Sequence, residues 1–221
     1  MKLLRVPGVY RPQADTWLLL SAYHDQVDLH RAADVLDVGT GTGAVALAVS
    51  DATGDGCRVT ALDIARSAVW AARANSFRFR RRLRVRRSDL FAAVAGRRFD
   101  VVLANPPYVP SPQTVAPQRG RARSWDAGTD GRLVLDRLCE GLPEFLRPGG
   151  TALIVHSVLC GVDASVRVLA AAGLDAEVVA RNREPFGPVL TARAPYLEAA
   201  GLIEPGCREE ELVVVRADRG A

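Results

Sequence analysis

Asn105, Pro106, Pro107 and Tyr108 form the segment of this sequence whose residue types are best suited to chemistry. They follow residues 99–104, an apolar run typical of a buried strand. Each proline fixes its φ near −65° and lacks an N–H group, so the turn is stiff and rich in acceptors. The side-chain oxygen of Asn105 and the carbonyl oxygen of Pro106 can accept both hydrogens of a planar –NH2 group. The ring of Tyr108 can stack on the plane that carries this group.

This arrangement suits methyl transfer to a poor nucleophile, because the lone pair of an amide or an aromatic amine is delocalised. Acceptors on both hydrogens orient that lone pair toward a sulfonium methyl group and stabilise the positive charge that develops on nitrogen. No strong general base is required, and none of the three histidines lies near this segment. We therefore predict that Asn105, Pro106 and Tyr108 are catalytic, and that Pro107 and Tyr108 contact the substrate.

A glycine-rich loop lies between an apolar run and an alanine-rich segment. Its glycines let the backbone pass close beneath a ligand, and the following helix directs free N–H groups toward it. The pattern also fits a dinucleotide site, with Asp63 as the acid about 20 residues further on. Asp37 favours S-adenosylmethionine instead, since a carboxylate there attracts an ammonium group and repels a pyrophosphate. The predicted cofactor contacts of this segment are Asp37, Gly39, Thr40, Gly41 and Gly43.

Two further acidic residues end predicted strands. Asp63, with Ile64 beside it, can accept two ribose hydroxyls or cap the following helix. Asp89 can accept from an adenine amino group while the N–H of Leu90 meets a ring nitrogen, or it can be a turn residue. Because the carboxyl ends of parallel strands meet at one edge of a sheet, we place all these residues around one ligand.

The elements that position these residues alternate between β-branched runs and alanine-rich stretches, which is typical of βαβ units. The sequence predicts one α/β domain, a doubly wound, Rossmann-like sheet of seven mostly parallel strands. A segment at 1–30 covers the cofactor site, with Asp15 capping its helix, and 31–221 form the catalytic domain. Residues 105–130, with five prolines, are predicted to be a functional loop. We predict strands at 34–38, 58–62, 83–87, 99–104, 152–158, 177–180 and 211–216, and helices at 15–27, 44–50, 66–75, 132–145 (stopped by the Pro-Gly-Gly at 148–150), 164–172 and 192–199.

The composition excludes several classes of protein. The chain has 221 residues, of which 48% are hydrophobic and 24% charged, so it can form a core and is not disordered. Its four cysteines are scattered without a CxxC pair, so we expect no metal site and a reducing, cytoplasmic environment. No apolar run reaches the roughly 18 residues of a membrane span. The net charge of +4 does not by itself indicate nucleic-acid binding.

Together these motifs resemble class I S-adenosylmethionine-dependent methyltransferases of the HemK type. That family methylates the side-chain amide of a glutamine in the Gly-Gly-Gln loop of peptide-chain release factors. Residues 9–20 are similar to the opening of its short, stand-alone branch, and residues 124–132 resemble the segment that shapes its substrate groove. The resemblance implies the following roles: Thr16 at the cofactor carboxylate, Asp37 and Gly39 at the methionine end, Asp63 at the ribose, Asp89 and Leu90 at the adenine, and Trp125 at the substrate.

The chain departs from that family in two ways. It begins almost at the predicted catalytic fold, so we expect no N-terminal docking domain like that of the bacterial enzymes, and seven arginines lie among residues 78–87. In the stand-alone branch this strand docks a small activator subunit through apolar and main-chain contacts, which the arginines disfavour. They suit a solvated edge strand or, alternatively, a face for RNA. Other functions that remain open are methylation of an adenine amino group in DNA or RNA, methylation of a small molecule, and a nicotinamide-binding or inactive module.

Overall fold

The computed structural model describes residues 2–4, 6–28, 33–115, 117 and 120–221. Strands β1 to β7 span Asp34–Val38, Arg58–Asp63, Arg84–Arg87, Phe99–Ala104, Leu146–Ser157, Asp175–Pro185 and Glu209–Asp218. Helices α1 to α6 span Ala14–Gln26, Ala44–Thr53, Arg66–Arg78, Leu135–Gly141, Val162–Ala171 and Pro188–Ala199.

The seven strands form one sheet in the order β3-β2-β1-β4-β5-β7-β6. The four pairs from β3 to β5 are parallel, and β7 runs antiparallel between β5 and β6. The predicted seven-stranded, mostly parallel sheet is therefore confirmed. Its strand order reverses between β1 and β4, which is where a doubly wound sheet opens a crevice for a ligand.

Helices cover both faces of this sheet, so its central strands are apolar on both sides. All five residues of β1 are buried. Alternate side chains enter different cores, with Leu36 and Val102 on one side of the sheet and Val35 and Val101 on the other. This burial on both faces explains why apolar residues of β1, such as Val35 and Leu36, occupy adjacent rather than alternating positions.

The largest difference from the predicted elements lies between α4 and β5. Helix α4 begins at Leu135 and ends at Gly141, and β5 begins at Leu146, before the Pro-Gly-Gly segment that was expected only to stop the helix. The register with β4 shifts here, because Phe99 pairs with Leu146 whereas Val101 pairs with Thr151. Residues 147–150 thus form an irregularity inside a strand.

The start of α1 also differs from the prediction. Gln13, not Asp15, occupies the position before the helix, and Asp15 lies within the first turn. The carboxylate of Asp15 instead contacts Tyr108 at the end of the proline turn, as described below. The predicted boundary at residue 30 lies outside the described residues, and the two-part division of the chain stays a prediction.

The described residues of the predicted loop at 105–130, which exclude 116, 118 and 119, are largely irregular, as expected. The loop lies at the carboxyl end of β4. It contains a short parallel bridge between Val109 and Asp126 and a turn of 3-10 helix at Arg121–Ser124. None of the helices in the described part of the chain has the length and apolar character needed to span a bilayer.

Candidate active site

A cavity of about 240 Å³ opens at the carboxyl ends of β1, β2 and β4, where the strand order reverses. It gathers residues from the glycine loop, from two strand ends, from the proline turn and from the long loop. Of the predicted site residues, the following line it: Gly39, Gly41, Asp63, Ile64, Asp89, Leu90, Asn105, Pro106, Pro107, Tyr108 and Trp125.

Four predicted site residues, Thr16, Asp37, Thr40 and Gly43, do not belong to this lining. The carboxylate of Asp37 is buried under the glycine loop, where it accepts from the Thr40 hydroxyl at 2.6 Å and from the N–H of Ala46 at 3.2 Å. Burial raises the pKa of Asp37 to about 7. Asp37 thus ties the loop to the first turn of α2, and its contact with an ammonium group stays a prediction.

The glycine loop touches the proline turn directly. Gly39 has a φ of +79°, and a Cβ atom at this position would lie 2.8 Å from the carbonyl oxygen of Asn105. The N–H groups of Gly39 and Thr40 both donate to the carbonyl of Leu62 at 2.9 Å. The loop therefore joins the ends of β2 and β4, and only a glycine permits the approach.

Asp63 connects the glycine loop to the start of α3, and its contact with a ribose stays a prediction. Its Oδ1 accepts from the N–H of Ala65 at 2.8 Å, just before α3, and its Oδ2 accepts from the N–H of Gly41 at 2.9 Å. Burial raises the pKa of this carboxyl, and Arg123 offsets part of the rise. Each carboxylate oxygen keeps a further lone pair, so Asp63 can still accept ribose hydroxyls.

Asp89 and Leu90 follow β3 at the rim of the cavity. The exposed carboxylate of Asp89 pairs with Arg137 of α4 at 3.0 Å. Leu90 has a φ of +43°, an unusual value for a residue with a side chain. This conformation presents the backbone of residue 90 at the cavity, where its N–H is predicted to meet an adenine ring.

Asn105 and Pro106 offer two acceptors that no other group uses. The N–H of Asn105 donates to the carbonyl of Val38 at 3.4 Å, which holds the turn against the glycine loop. Among the described residues, neither the side chain of Asn105 nor the carbonyl of Pro106 has a hydrogen-bond partner. The proline turn therefore presents free oxygens to the cavity.

Tyr108 is held by a contact that the sequence reasoning missed. Its hydroxyl donates to Oδ2 of Asp15 at 3.1 Å, and the hydroxyl of Tyr10 donates to the same oxygen at 2.7 Å. Asp15 is only 3% exposed. Burial and the Asp15 carboxylate raise the pKa of both tyrosines, so both hydroxyls remain donors. Both tyrosines and Asp15 line the cavity.

The only sequence signal for this cluster was the resemblance of residues 9–20 to a segment over the cofactor. No local spacing shows that Asp15 reaches a tyrosine 93 residues further on. The contact of Trp125 with a substrate stays a prediction. Trp125 lines the cavity, and its carbonyl accepts from the N–H of Val109 at 2.7 Å, which anchors the loop.

The family pattern described as "Methyltransferase small domain" matches residues 2–118, more than half of the chain. The chain belongs to this family. The resemblance that its glycine loop, strand-end acids and proline turn predicted is thus confirmed, and the cavity is that of a methyltransferase.

Curated relatives of this methyltransferase carry related names. A protein of Methanocaldococcus jannaschii, provisionally named protein N5-glutamine methyltransferase MJ0928, is 34% identical over 194 residues, which cover 88% of this chain and 95% of that protein. A release factor glutamine methyltransferase of Koribacter versatilis is 33% identical over 155 residues. The match covers 67% of this chain and 55% of the Koribacter protein, so it extends over about half of that longer relative.

Solved structures confirm the fold of this methyltransferase. One of them is a chain of the E. cuniculi Mtq2-Trm112 complex, which is responsible for the methylation of the translation termination factor eRF1. It aligns with a TM-score of 0.63 at 19% identity and covers 96% of this chain and 99% of that chain. The T. thermophilus 16S rRNA N2 G1207 methyltransferase RsmC aligns with a TM-score of 0.62 at 18% identity, over 97% of this chain and 46% of that chain.

Proposed function

We propose that this methyltransferase transfers a methyl group from S-adenosylmethionine to the side-chain amide nitrogen of a glutamine in a peptide-chain release factor. The observation that carries the proposal is the free pair of acceptors at Asn105 and Pro106, in the same cavity as the glycine loop. An amide nitrogen carries two hydrogens in one plane, and these two oxygens would accept them.

The residues of the cavity fit the cofactor. Gly39 and Gly41 line the cavity without side chains, so a ligand can approach the backbone of the loop closely. Asp63 would accept from the ribose hydroxyls, and Asp89 with the backbone of Leu90 would meet the adenine. S-adenosylmethionine supplies a methyl group on a sulfonium sulfur, which is electrophilic enough to react with an oriented amide.

The chain's own contribution is orientation and charge stabilisation. The oxygens of Asn105 and Pro106 hold the –NH2 group. Their partial negative charges stabilise the positive charge that develops on the nitrogen during methyl transfer. Tyr108, fixed by Asp15, has a ring whose position does not depend on the substrate. A buried His156, on β5 and outside the cavity lining, has its pKa lowered to about 4 by burial and does not serve as a base here.

A release factor is the acceptor that the relatives favour. Both curated relatives described above are named for glutamine methylation, and the Koribacter protein is named for release factors. The E. cuniculi structure is that of a complex between Mtq2 and Trm112. On this chain the predicted docking strand for an activator, β3, exposes Arg84, Arg86 and Arg87, so a small partner there would need an acidic surface.

The test is a methylation assay with labelled S-adenosylmethionine on three acceptors in parallel, a purified release factor, single-stranded RNA and DNA. We expect label on the release factor alone, and mass spectrometry should place one methyl group on the glutamine of its Gly-Gly-Gln loop. The Asn105→Ala variant serves as the negative control. Methyl-adenine in the digested nucleic acid, with an unlabelled release factor, would contradict the proposal.

A further inference from the structure

The sheet edge formed by β3 and α3 concentrates the positive charge of the chain. Residues 66–98 hold 11 arginines and one carboxylate, a formal charge of +10, whereas the rest of the chain holds 18 basic and 24 acidic residues, a formal charge of −6. Such an asymmetry is the electrostatic footprint of a surface that binds a polyanion. Nine of these arginines are exposed: Arg66, Arg73, Arg78, Arg80, Arg82, Arg84, Arg86, Arg87 and Arg98.

The charge extends around both faces of the sheet edge. Successive side chains of a strand point to opposite faces. Arg84 and Arg86 share the face of Arg97, whose pKa is lowered by burial and by these two neighbours. On the other face, Arg73 of α3 donates to the carbonyl of Val85 at 2.9 Å. A negatively charged polymer could therefore contact arginines on either side of β3.

Helix α3 adds aromatic rings to this charge. Arg66, Trp70, Arg73 and Phe77 follow one another at spacings of four, three and four residues, which places them on one face of the helix. All four are exposed, Trp70 to 59% and Phe77 to 88%. The two rings are two helical turns apart, about 10 Å along the axis. This face alternates a guanidinium with an aromatic ring.

A solvated edge strand does not account for this face. Charge alone suffices to prevent two sheets from pairing through their edges. Two large exposed rings oppose that purpose, because they add an apolar surface to the same edge. In addition, Arg66 and Arg73 lie on a helix rather than on the unpaired strand.

We propose that the β3–α3 surface binds single-stranded nucleic acid, with the arginines on its phosphates and with Trp70 and Phe77 stacked on its bases. Arginines release counterions from a phosphate backbone, and an aromatic ring stacks on any unpaired base without regard to sequence. A double helix does not offer its base faces in this way. This inference does not rest on the proposed function. None of Trp70, Arg73 and Phe77 lines the methyl-transfer cavity.

The experiment measures fluorescence anisotropy of the full chain with labelled single strands of RNA and of DNA, each about 12 nucleotides long, which is within the range that such surfaces cover. The charge variant carries Arg66→Gln, Arg82→Gln and Arg84→Gln. Its matched control carries Arg167→Gln, Arg181→Gln and Arg183→Gln, three exposed arginines on α5 and β6 at the other side of the sheet. Trp70→Ala and Phe77→Ala are tested separately, and circular dichroism confirms that each variant is folded.

We expect binding at about 0.15 M salt that weakens as salt increases. The charge variant should lose affinity and show a shallower dependence on salt by about 0.7 for each phosphate contact removed, whereas its control should bind as the wild type does. Each aromatic variant should bind about 5- to 150-fold more weakly, while methyl transfer to a glutamine peptide is unchanged. A preference between the two strands identifies RNA or DNA as the ligand.

Three results would overturn the inference. Equal losses in the charge variant and its control would show only a response to total charge. If both aromatic variants bind as the wild type does, and if heparin binds as tightly as the nucleic-acid strands, the surface binds polyanions without contacting bases. Tighter binding of polyglutamate than of either strand would assign the surface to an acidic protein.

Discussion

The single side chain on which the proposed chemistry depends most is that of Asn105. It is half-buried in the cavity and has no hydrogen-bond partner among the described residues, so its oxygen is available to a substrate. Its backbone, not its side chain, holds the turn against β1. Removing the side chain should therefore affect the reaction more than it affects the fold.

Replacement of Asn105 by alanine should lower turnover by about 10²- to 10³-fold, the loss typical of one preorganised polar group at a developing charge. The affinity for S-adenosylmethionine should be nearly unchanged, because the glycine loop and Asp63 remain. Steady-state kinetics and calorimetry measure the two quantities separately. Asn182→Ala, on β6 and outside the cavity lining, is the matched control and should retain wild-type turnover. Equal losses of turnover and cofactor affinity would make Asn105 a cofactor or folding residue.

Asp15 differs from Asn105 because two buried hydroxyls depend on its carboxylate. Asp15→Ala would leave the hydroxyls of Tyr10 and Tyr108 without an acceptor, and we expect the free energy of unfolding to fall by about 2–4 kcal/mol. Tyr108→Phe removes the donor together with its need for a partner and should cost about 1 kcal/mol. Urea denaturation measures both. A smaller loss in Asp15→Ala than in Tyr108→Phe would show that the cluster does not hold the ring.

Residue types at strand ends could be read from the sequence, but their contacts could not. The sequence predicts that Gly39, Asp63 and Asn105 lie close together. Each follows a predicted strand, and the carboxyl ends of parallel strands meet at one edge of the sheet. Asp15 was predicted only as a helix cap, since capping is a local property. Its actual partner, Tyr108, is adjacent only once α1 and the proline turn are packed together.

At the scale of elements, the glycine loop and the proline turn act as one unit. The N–H of Asn105 binds the end of β1, and Gly39 lies against the carbonyl of the same asparagine. We therefore expect a change in the glycine loop to move the proline turn as well.

Gly39→Ala tests this contact, since it adds a Cβ atom 2.8 Å from the carbonyl oxygen of Asn105. Gly173→Ala, just after α5, is the control, because Gly173 also has a positive φ, +85°, but no atom within 4 Å of an added Cβ. We expect the control to lose only about 1 kcal/mol of stability, the cost of the left-handed backbone. Gly39→Ala should lose more stability and, in addition, both cofactor binding and turnover. Similar behaviour of the two variants in calorimetry would mean that the loop and the turn are not in tight contact.

The elements that the sequence predicted well are those with strong local signals. Strand β4 has the bounds predicted for it, since an apolar run ends there at a proline turn. Strand β5 was predicted to begin after Pro148-Gly149-Gly150 because those residues usually end structure. The structure pairs Phe99 with Leu146 across the irregularity, and only the neighbouring strand reveals this early start.

At the scale of the whole molecule, the amino ends and the carboxyl ends of the strands differ in the environment of their acidic residues. At the amino ends of the strands, the buried Asp34 accepts from Arg58 at 2.6 Å and from Arg147 at 2.7 Å, which ties β1 to β2 and β5. These hydrogen bonds lower the pKa of Asp34 to about 2, so the network stays ionised at neutral pH. The carboxyl ends hold the cavity, where burial raises the pKa of carboxyl groups instead.

Glu210 of β7 makes the stability of the molecule depend on pH. Burial, with Asp15 and Glu184 as like-charged neighbours, raises its pKa from 4.5 to about 7, although a hydrogen bond from Ser157 opposes the shift. The folded state holds the proton of Glu210 more tightly than the unfolded chain does. The contribution of the protonated side chain to the free energy of unfolding is therefore complete below about pH 4.5 and is lost as the pH rises through 7.

Compared with Glu210→Gln, the wild type should therefore lose up to about 3 kcal/mol of unfolding free energy between pH 4.5 and 8. Chemical denaturation of both proteins across this range measures the difference. Asp37, whose pKa is also raised, is present in both and cancels from the comparison. Parallel curves for the two proteins would show that Glu210 titrates normally in the folded state.

The most direct test of the central claim is a crystal structure of the chain with S-adenosylhomocysteine and a peptide that contains Gly-Gly-Gln. The account predicts the glutamine nitrogen within about 3 Å of both the Asn105 side-chain oxygen and the Pro106 carbonyl oxygen, directed toward the sulfur. A glutamine bound elsewhere, or an Asn105 side chain turned away from the sulfur, would contradict it.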